Sequence, residues 1–262
     1  MTTVVLIRHG RTSANTAGVL AGRTPGVELD EVGRRQVADL GLRLSDVPLA
    51  AVVSSPLRRC RQTAQAVVLG HESPVQVHTD RALTECGYGD WTGRKLADLG
   101  KEKLWSTVQT QPSAVRFPNG ESMTEMAARA TGAIRSWDAR LTAEHGPYAV
   151  WAAVSHGDVL KAILADALGM HLDSFQRILV DPASVSIVRY GDTRPYVVTT
   201  NSTNADLGKL LAPPPNKGRA KKAPAKGRSS RAATTDDAAL GGGLGASDQL
   251  PSNSGSTERS PG

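Results

Sequence analysis

Two histidines follow apolar runs in the sequence, at points where buried strands are predicted to end. His9 comes two residues after the run 4–7, and His156 follows the run 148–154. Open α/β sheets bind their ligands beyond the carboxyl ends of such strands. Either histidine alone is more often an ordinary loop residue, but the residues around them favour a functional site.

Arg8 lies directly before His9 and indicates the kind of ligand that this site would bind. A guanidinium at a buried sheet edge is costly to desolvate unless it meets an anion. A phosphate group satisfies it, because arginine donates paired hydrogen bonds to phosphate oxygens. The two residues together therefore predict phosphate chemistry.

Strand and helix signals alternate along most of the chain and would position these residues. Apolar runs predict strands at 4–7, 50–54, 75–78, 148–154, 184–190 and 196–200. Asp30 is a candidate N-cap for one helix, and Pro56 suits the first turn of the next. Ser122 and Glu125 form a capping box that opens a long helix to about residue 144, and an amphipathic helix follows His156. The alternation predicts an α/β fold with helices on both faces of the sheet.

Five sequence blocks contain most of the residues that could do chemistry. They are LIRHGRTSAN at 6–15, LDEVGRRQ at 29–36, SSPLRRCRQTA at 54–64, LTECGYGDWTG at 83–93 and VSHGD at 154–158. In this order they resemble the histidine phosphatase superfamily, also called the phosphoglycerate mutase-like family, over about residues 4–200. The resemblance implies a three-layer α/β/α sandwich with a mostly parallel central sheet.

The resemblance also implies roles for the residues at the sheet edge. His9 matches the nucleophile that attacks phosphorus, with its other ring nitrogen held as N–H by a backbone carbonyl. Arg8 and Arg59 match the two arginines that grip the phosphoryl group, and His156 matches a second histidine that donates to its oxygens. Surrounding positive charge is expected to keep His9 neutral.

Glu85 lies in a block that fits the family pattern L-x-E-x-x-x-G-x-W-x-G at every fixed position. In that pattern the glutamate is the acid/base, which protonates the leaving oxygen and then deprotonates the attacking water. Asn15 corresponds to a further phosphate-pocket residue. Thr12 offers a hydroxyl or a helix cap, and Gly157 permits close approach of the backbone to phosphate.

Composition divides the chain at about residue 203. We expect residues 1–203 to form the catalytic domain, and residues 204–262, which are rich in Pro, Gly, Ser and Ala, to be a disordered basic tail. Much of the formal net charge of +6 lies in that tail. It could contact polyanions such as nucleic acid, although solvated basic tails without a target are common.

The remaining sequence features bear on compartment and cofactors. Two cysteines, Cys60 and Cys86, show neither disulfide nor zinc-site spacing, which fits a reducing cytoplasmic setting. The N-terminus shows no signal peptide and no apolar span, so we expect no membrane insertion. The mechanism requires no cofactor, and the six histidines show no metal-ligand spacing.

Three functions remain open from the sequence. A phosphatase acting on a small phosphomonoester is favoured over a cofactor-dependent phosphoglycerate mutase, because the Glu-Arg-x-Tyr-Gly-x-Leu-x-Gly block of the mutases has no equivalent between Gly93 and Glu125. A non-catalytic phospho-ligand binding module is the third, although such modules typically lose the nucleophile or the acid/base. The loops at 23–28 and 96–119 are expected to set substrate specificity.

Overall fold

The computed structural model describes residues 1–203 together with Leu240 and Gly241. The rest of the predicted tail lies outside the described residues. The strands are β1 Thr2–Arg8, β2 Leu49–Ser54, β3 Val77–Thr79, β4 Val150–Ser155, β5 Val185–Tyr190 and β6 Pro195–Ser202. The α-helices are α1 Ser13–Thr16, α2 Glu31–Leu44, α3 Arg58–Leu69, α4 Leu96–Leu99, α5 Lys103–Thr110, α6 Met123–His145 and α7 Gly157–Ala167.

The strands form one mixed sheet in the order β3-β2-β4-β1-β5-β6. Strands β3, β2, β4 and β1 run parallel to one another, whereas β5 pairs antiparallel with β1 on one side and with β6 on the other. Arg8 at the end of β1 pairs with Ser155 at the end of β4. Because these two strands are parallel neighbours, the residues after them, His9 and His156, emerge at the same edge of the sheet.

Helices cover both faces of this sheet, which confirms the expected three-layer sandwich and its mostly parallel centre. One face packs against α2 and α3 through a cluster that includes Ile7, Val52, Val37, Leu40 and Val67. The other face packs against α6 and α7 through a cluster that includes Leu6, Val53, Met126, Ile134 and Ile163. Adjacent strand residues belong to opposite clusters because successive side chains point to opposite faces.

Two predicted helix starts are confirmed by their capping contacts. The Asp30 side chain accepts a hydrogen bond of 2.7 Å from the Gly33 N–H at the start of α2. Ser122 and Glu125 form the expected capping box of α6, with each side chain accepting from the other residue's N–H. These bonds satisfy N–H groups that have no partner within the helix.

The predicted start of α3 was wrong. Pro56 does not lie in the first turn, because Leu57 is the N-cap with extended backbone and the helix begins at Arg58. The Leu57 N–H instead donates to the Ser55 hydroxyl at 3.4 Å, which holds the chain in a turn before the helix. Arg59 therefore occupies the second position of α3.

The segment 96–119, expected as a loop, contains the short helices α4 and α5 and a 3-10 turn at Pro112–Ala114. Within the described part of the chain, no helix combines the length and apolarity that crossing a bilayer requires.

Candidate active site

His9 has a fixed ring orientation and one unprotonated ring nitrogen. Its Nδ1 lies 2.7 Å from the Gly10 carbonyl, which can only accept, so Nδ1 carries the hydrogen. The other nitrogen, Nε2, is then unprotonated and accepts from the Nε of Arg59 at 3.2 Å. Burial lowers the pKa of His9 well below its usual value, and the charges of Arg59 and Arg8 lower it further. The imidazole is therefore neutral, as a nucleophile must be.

Gly10 allows the strand end that carries His9 to pack directly on α2. A Cβ at this position would lie 2.7 Å from the Gly33 carbonyl oxygen and 2.7 Å from Val37 Cγ1. The Gly10 N–H also donates to the hydroxyl of Thr63 on α3 at 3.2 Å. The position of His9 thus depends on close packing against two helices.

Arg59 links both histidines and has donor capacity left over. Its Nη2 donates to the Gly22 carbonyl at 2.8 Å and lies 3.2 Å from Nδ1 of His156. Its Nη1 is buried and has no hydrogen-bond partner among the described residues. Buried donors are almost always satisfied, so this nitrogen is suited to an anion.

Arg8 is fully buried behind the cavity wall and is held by main-chain carbonyls. Its Nη1 donates to the Val180 carbonyl at 2.7 Å, and its Nη2 donates to the Gly241 carbonyl at 3.3 Å. Burial lowers the pKa of Arg8, while the charges of Asp181, Glu85 and Asp158 oppose that effect. Its positive charge acts on the site at close range.

Glu85 faces the same cavity from the segment after the 3-10 turn Arg81–Leu83. One carboxyl oxygen accepts from the Cys86 N–H at 3.0 Å, and the other lies 3.9 Å from Nδ1 of His156. Burial raises the pKa of Glu85 to about 7, and the charge of Asp158 acts in the same direction against Arg59 and Arg8. A carboxyl with that pKa can both give and take a proton near neutral pH.

His156 is fully buried and neutral, because burial first and then Arg59 and His9 lower its pKa well below the usual value. Its ring centroid lies 5.3 Å from that of His9. Its Nδ1 accepts from Arg59 here, so Nε2 donates to the Ser55 hydroxyl at 2.8 Å. A hydroxyl can also donate, so Ser55 provides a partner for either tautomer.

Of the three remaining predicted site residues, two line the cavity and one does not. Thr12 and Asn15 line the cavity and form a reciprocal capping box at the start of α1, so Thr12 does act as a helix cap. Gly157 is the buried first residue of α7 and is absent from the cavity wall. The structure thus brings His9, Arg59, Glu85, Thr12 and Asn15 to the cavity, whereas Arg8 and His156 are buried without lining it.

The cavity has a free volume of about 40 Å³, which holds no more than a few water molecules. Its wall includes Leu240 and Gly241, which sequence reasoning assigned to the tail. Gly241 donates its N–H to Asp158 at 3.0 Å, besides accepting from Arg8. The described residues contain no group of three His, Cys, Asp or Glu side chains placed to hold a metal ion.

Ser55 and Asp158 lie in the motif blocks but had no predicted role, and both contact residues of the site. Ser55 directly follows β2, whose parallel neighbour β4 leads to His156, so its sheet-edge position was a usable signal. Asp158 accepts from the Tyr88 hydroxyl at 2.6 Å and is fully buried. No sequence signal pointed to Leu240.

Comparison with known proteins gives one family. The model of the histidine phosphatase superfamily (branch 1) matches residues 4–203. A probable phosphoglycerate mutase, GpmB, from Proteus mirabilis is 32% identical over 193 residues, covering 72% of this chain and 86% of the relative. Among solved structures, the α-ribazole phosphatase from Shigella flexneri is 29% identical with a TM-score of 0.66, covering 76% of this chain and 96% of that one. YhfR from Bacillus stearothermophilus is 27% identical with a TM-score of 0.70, covering 78% and 98%.

Proposed function

This chain belongs to the histidine phosphatase superfamily, and from that premise we propose that it hydrolyses small phosphomonoesters through a phosphohistidine on His9, with Glu85 as proton carrier. The observation that supports this most directly is one cavity lined by a neutral His9, by Arg59 with an unpartnered buried N–H, and by Glu85. Phosphoryl transfer needs a nucleophile, cationic donors and a proton source in such an arrangement.

In the first step, the Nε2 lone pair of His9 attacks phosphorus and the bond from phosphorus to the leaving oxygen breaks. The Gly10 carbonyl keeps the hydrogen on Nδ1 and stabilises the positive charge that develops on the ring. The protonated carboxyl of Glu85 gives its proton to the leaving oxygen, so an alcohol departs and a carboxylate remains. Arg59 exchanges its hydrogen bond to Nε2 for bonds to the phosphoryl oxygens.

In the second step, water attacks the phosphohistidine and the N–P bond breaks. The Glu85 carboxylate takes a proton from that water, which restores the acid and releases inorganic phosphate. Arg8 and His156 stabilise the phosphoryl charge from behind the cavity wall. His156 can present Nδ1–H once its other nitrogen accepts from Ser55.

The alternative within the family is a phosphomutase, in which a second substrate hydroxyl replaces water. The names of the relatives include both a mutase and a phosphatase. Hydrolysis is favoured here because the basic mutase block is missing between Gly93 and Glu125, where α4 and α5 lie instead. A non-catalytic binding role is less suited, since nucleophile and proton carrier are both present.

The test is hydrolysis of a small aryl phosphate by the full chain and by His9→Ala, with His145→Ala as a control at an exposed histidine. We expect His9→Ala to lose turnover and acid-labile phosphate labelling, and His145→Ala to keep both. Retained labelling in His9→Ala would reveal another nucleophile. Phosphoglycerate isomerisation that requires a bisphosphoglycerate and exceeds hydrolysis would instead establish the mutase.

A further inference from the structure

The backbone of Glu85 is held by two arginine side chains that the proposed mechanism does not use. Its carbonyl accepts from Nε of Arg23 at 2.8 Å and from Nη2 of Arg129 at 3.1 Å. Glu85 lies in a segment without regular secondary structure, between two 3-10 turns. No helix or sheet ladder therefore fixes this residue, and its position depends on these side chains.

Glu121 joins the two arginines into one cluster. Its carboxylate accepts from Arg23 Nη2 at 2.9 Å and from Arg129 Nε at 2.6 Å. It also accepts from the Gly87 N–H at 3.0 Å, while its own N–H donates to the Gly87 carbonyl at 2.7 Å. Burial acts against its charge, but the bonds from Arg129 and Gly87 hold the pKa of Glu121 below its usual value. The Glu121 carboxylate thus binds the main chain at Gly87, two residues beyond Glu85.

Close packing leaves the Glu85 segment little room to shift. A Cβ on Gly87 would lie 3.3 Å from both Arg23 Cζ and Glu121 Cβ. A Cβ on Gly120 would lie 2.3 Å from the Gly87 carbonyl oxygen. Arg129 additionally donates to the Ala82 carbonyl at 2.6 Å, before Glu85 in the chain. The segment is therefore bound on both sides of the carboxyl.

The same cluster is connected through the main chain to Arg59, which lines the cavity together with Glu85. Arg23 follows Gly22, whose carbonyl accepts from Nη2 of Arg59 at 2.8 Å. Two consecutive residues thus contact Arg59, on the phosphoryl side, and Glu85, on the leaving-group side. The distance between these two groups decides whether the proton reaches the leaving oxygen as the bond to phosphorus breaks.

We propose that Glu121, with Arg23 and Arg129, is a positioning cluster that sets the place of the Glu85 carboxyl relative to the bound phosphoryl group. The inference rests on the proposed function and adds residues that act through Glu85. Loss of the cluster should impair proton transfer and leave attack by His9 intact. The effect should therefore depend on how much the leaving group needs a proton.

The experiment compares kcat/KM on an alkyl phosphate, which needs protonation of its leaving oxygen, with kcat/KM on 2,4-dinitrophenyl phosphate, which does not. This ratio reports formation of the phosphohistidine and excludes its later hydrolysis, in which Glu85 acts as the base for both esters. For Glu121→Gln we expect a loss of about 10-fold or more on the alkyl ester, because a small misplacement of a catalytic group can cost up to about 100-fold. On the dinitrophenyl ester we expect kcat/KM to change within about 2-fold, since forming the phosphohistidine from that ester does not need the Glu85 proton. Arg140→Ala, which removes an exposed ion pair with Glu144 on the same helix α6, is the matched control and should change neither rate.

Half-exposed Arg23 offers a second variant that should fold even if Glu121→Gln does not. Arg23→Ala should show the same selective loss, and Arg23→Lys should recover part of it by again offering a donor to the Glu85 carbonyl. Equal losses on both esters, or no loss, would refute the positioning role. If Glu85→Gln itself showed no leaving-group dependence, the proposed function would fail instead.

Discussion

Nε2 of His9, the unprotonated ring nitrogen, accepts a hydrogen bond of 3.2 Å from the Nε of Arg59. In the absence of substrate the guanidinium thus occupies the direction from which a phosphorus atom would approach. The two residues are 50 positions apart in the sequence. Because they contact each other in the fold, we expect a substitution of Arg59 to affect activity.

Replacing Arg59 with Lys should lower kcat/KM for an aryl phosphate by about 100-fold, because an ammonium cannot donate the paired bonds of a guanidinium to phosphate. Arg61 lies two positions along the same helix and is exposed, so Arg61→Lys is the matched control. We expect its kcat/KM to stay within about 2-fold, as is usual for surface changes. Equal effects at both positions would contradict the role of Arg59.

Glu85 should give the reaction a pH dependence in a defined direction. Its pKa is raised to about 7, so the acid form is present below that pH and is lost above it. For an alkyl phosphate, kcat/KM should therefore fall as the pH rises through about 7. Measuring the profile of Glu85→Gln checks this, because the variant should lack that limb. An unchanged limb would assign the titration to another group.

The buried histidines should make the fold sensitive to acid. The pKa of His156 in the folded chain lies well below the ordinary histidine value of about 6.5, so the unfolded chain binds more protons below that pH and stability falls there. Glu85 acts in the opposite direction, since its raised pKa stabilises the fold as pH falls from about 7. The test compares Tm at pH 7.5 and at pH 5.5, about one unit on either side of an ordinary histidine pKa. We expect this drop in Tm to be smaller in His156→Gln than in the parent chain. In Glu85→Gln we expect it to be larger than in the parent chain. The reverse order would contradict both assignments.

Replacing Gly10 and replacing Gly132 with alanine should have opposite effects on the stability of the fold. Gly10→Ala should lower Tm, since the new methyl group would meet backbone of α2 at 2.7 Å. Gly132 lies within α6 with nothing within 4 Å of its added Cβ. Gly132→Ala should raise the free energy of unfolding by about 0.5–1 kcal/mol through helix propensity. Thermal and urea unfolding of both variants would measure the two opposite effects.

Leu240 narrows the cavity in the described structure. Its side chain is 1% exposed and packs in the same apolar cluster as Leu20. If Leu240 must leave the cavity before substrate binds, only the molecules in which it has left can bind. The apparent Kd is then the intrinsic Kd divided by the fraction of such molecules. Leu240→Asp in the full chain should therefore lower KM for an aryl phosphate by about 3-fold or more, whereas Leu42→Asp, at an exposed leucine, should not. A raised KM in Leu240→Asp would mean that the segment completes the site.

Local patterns in the sequence located the longer elements and named most residues of the candidate site, but they missed the short helices α4 and α5. The apolar runs located β1 and β4, and the caps at Asp30 and Ser122 located α2 and α6, because hydrophobic burial and N–H satisfaction act over a few residues. The motif blocks also named His9, Arg59 and Glu85, which the fold brings to one cavity. The start of α3 was misplaced because a single Ser55 hydroxyl bond decides where the turn ends.

Only the tertiary structure decided which atoms meet. Parallel pairing of β1 with β4 set the 5.3 Å between the rings of His9 and His156, and burial shifted their pKa values and that of Glu85. The cluster around Glu121 and the place of Leu240 depend on contacts between segments far apart in the chain. Such contacts leave no local periodicity in the sequence, since each depends on the packing of the whole domain.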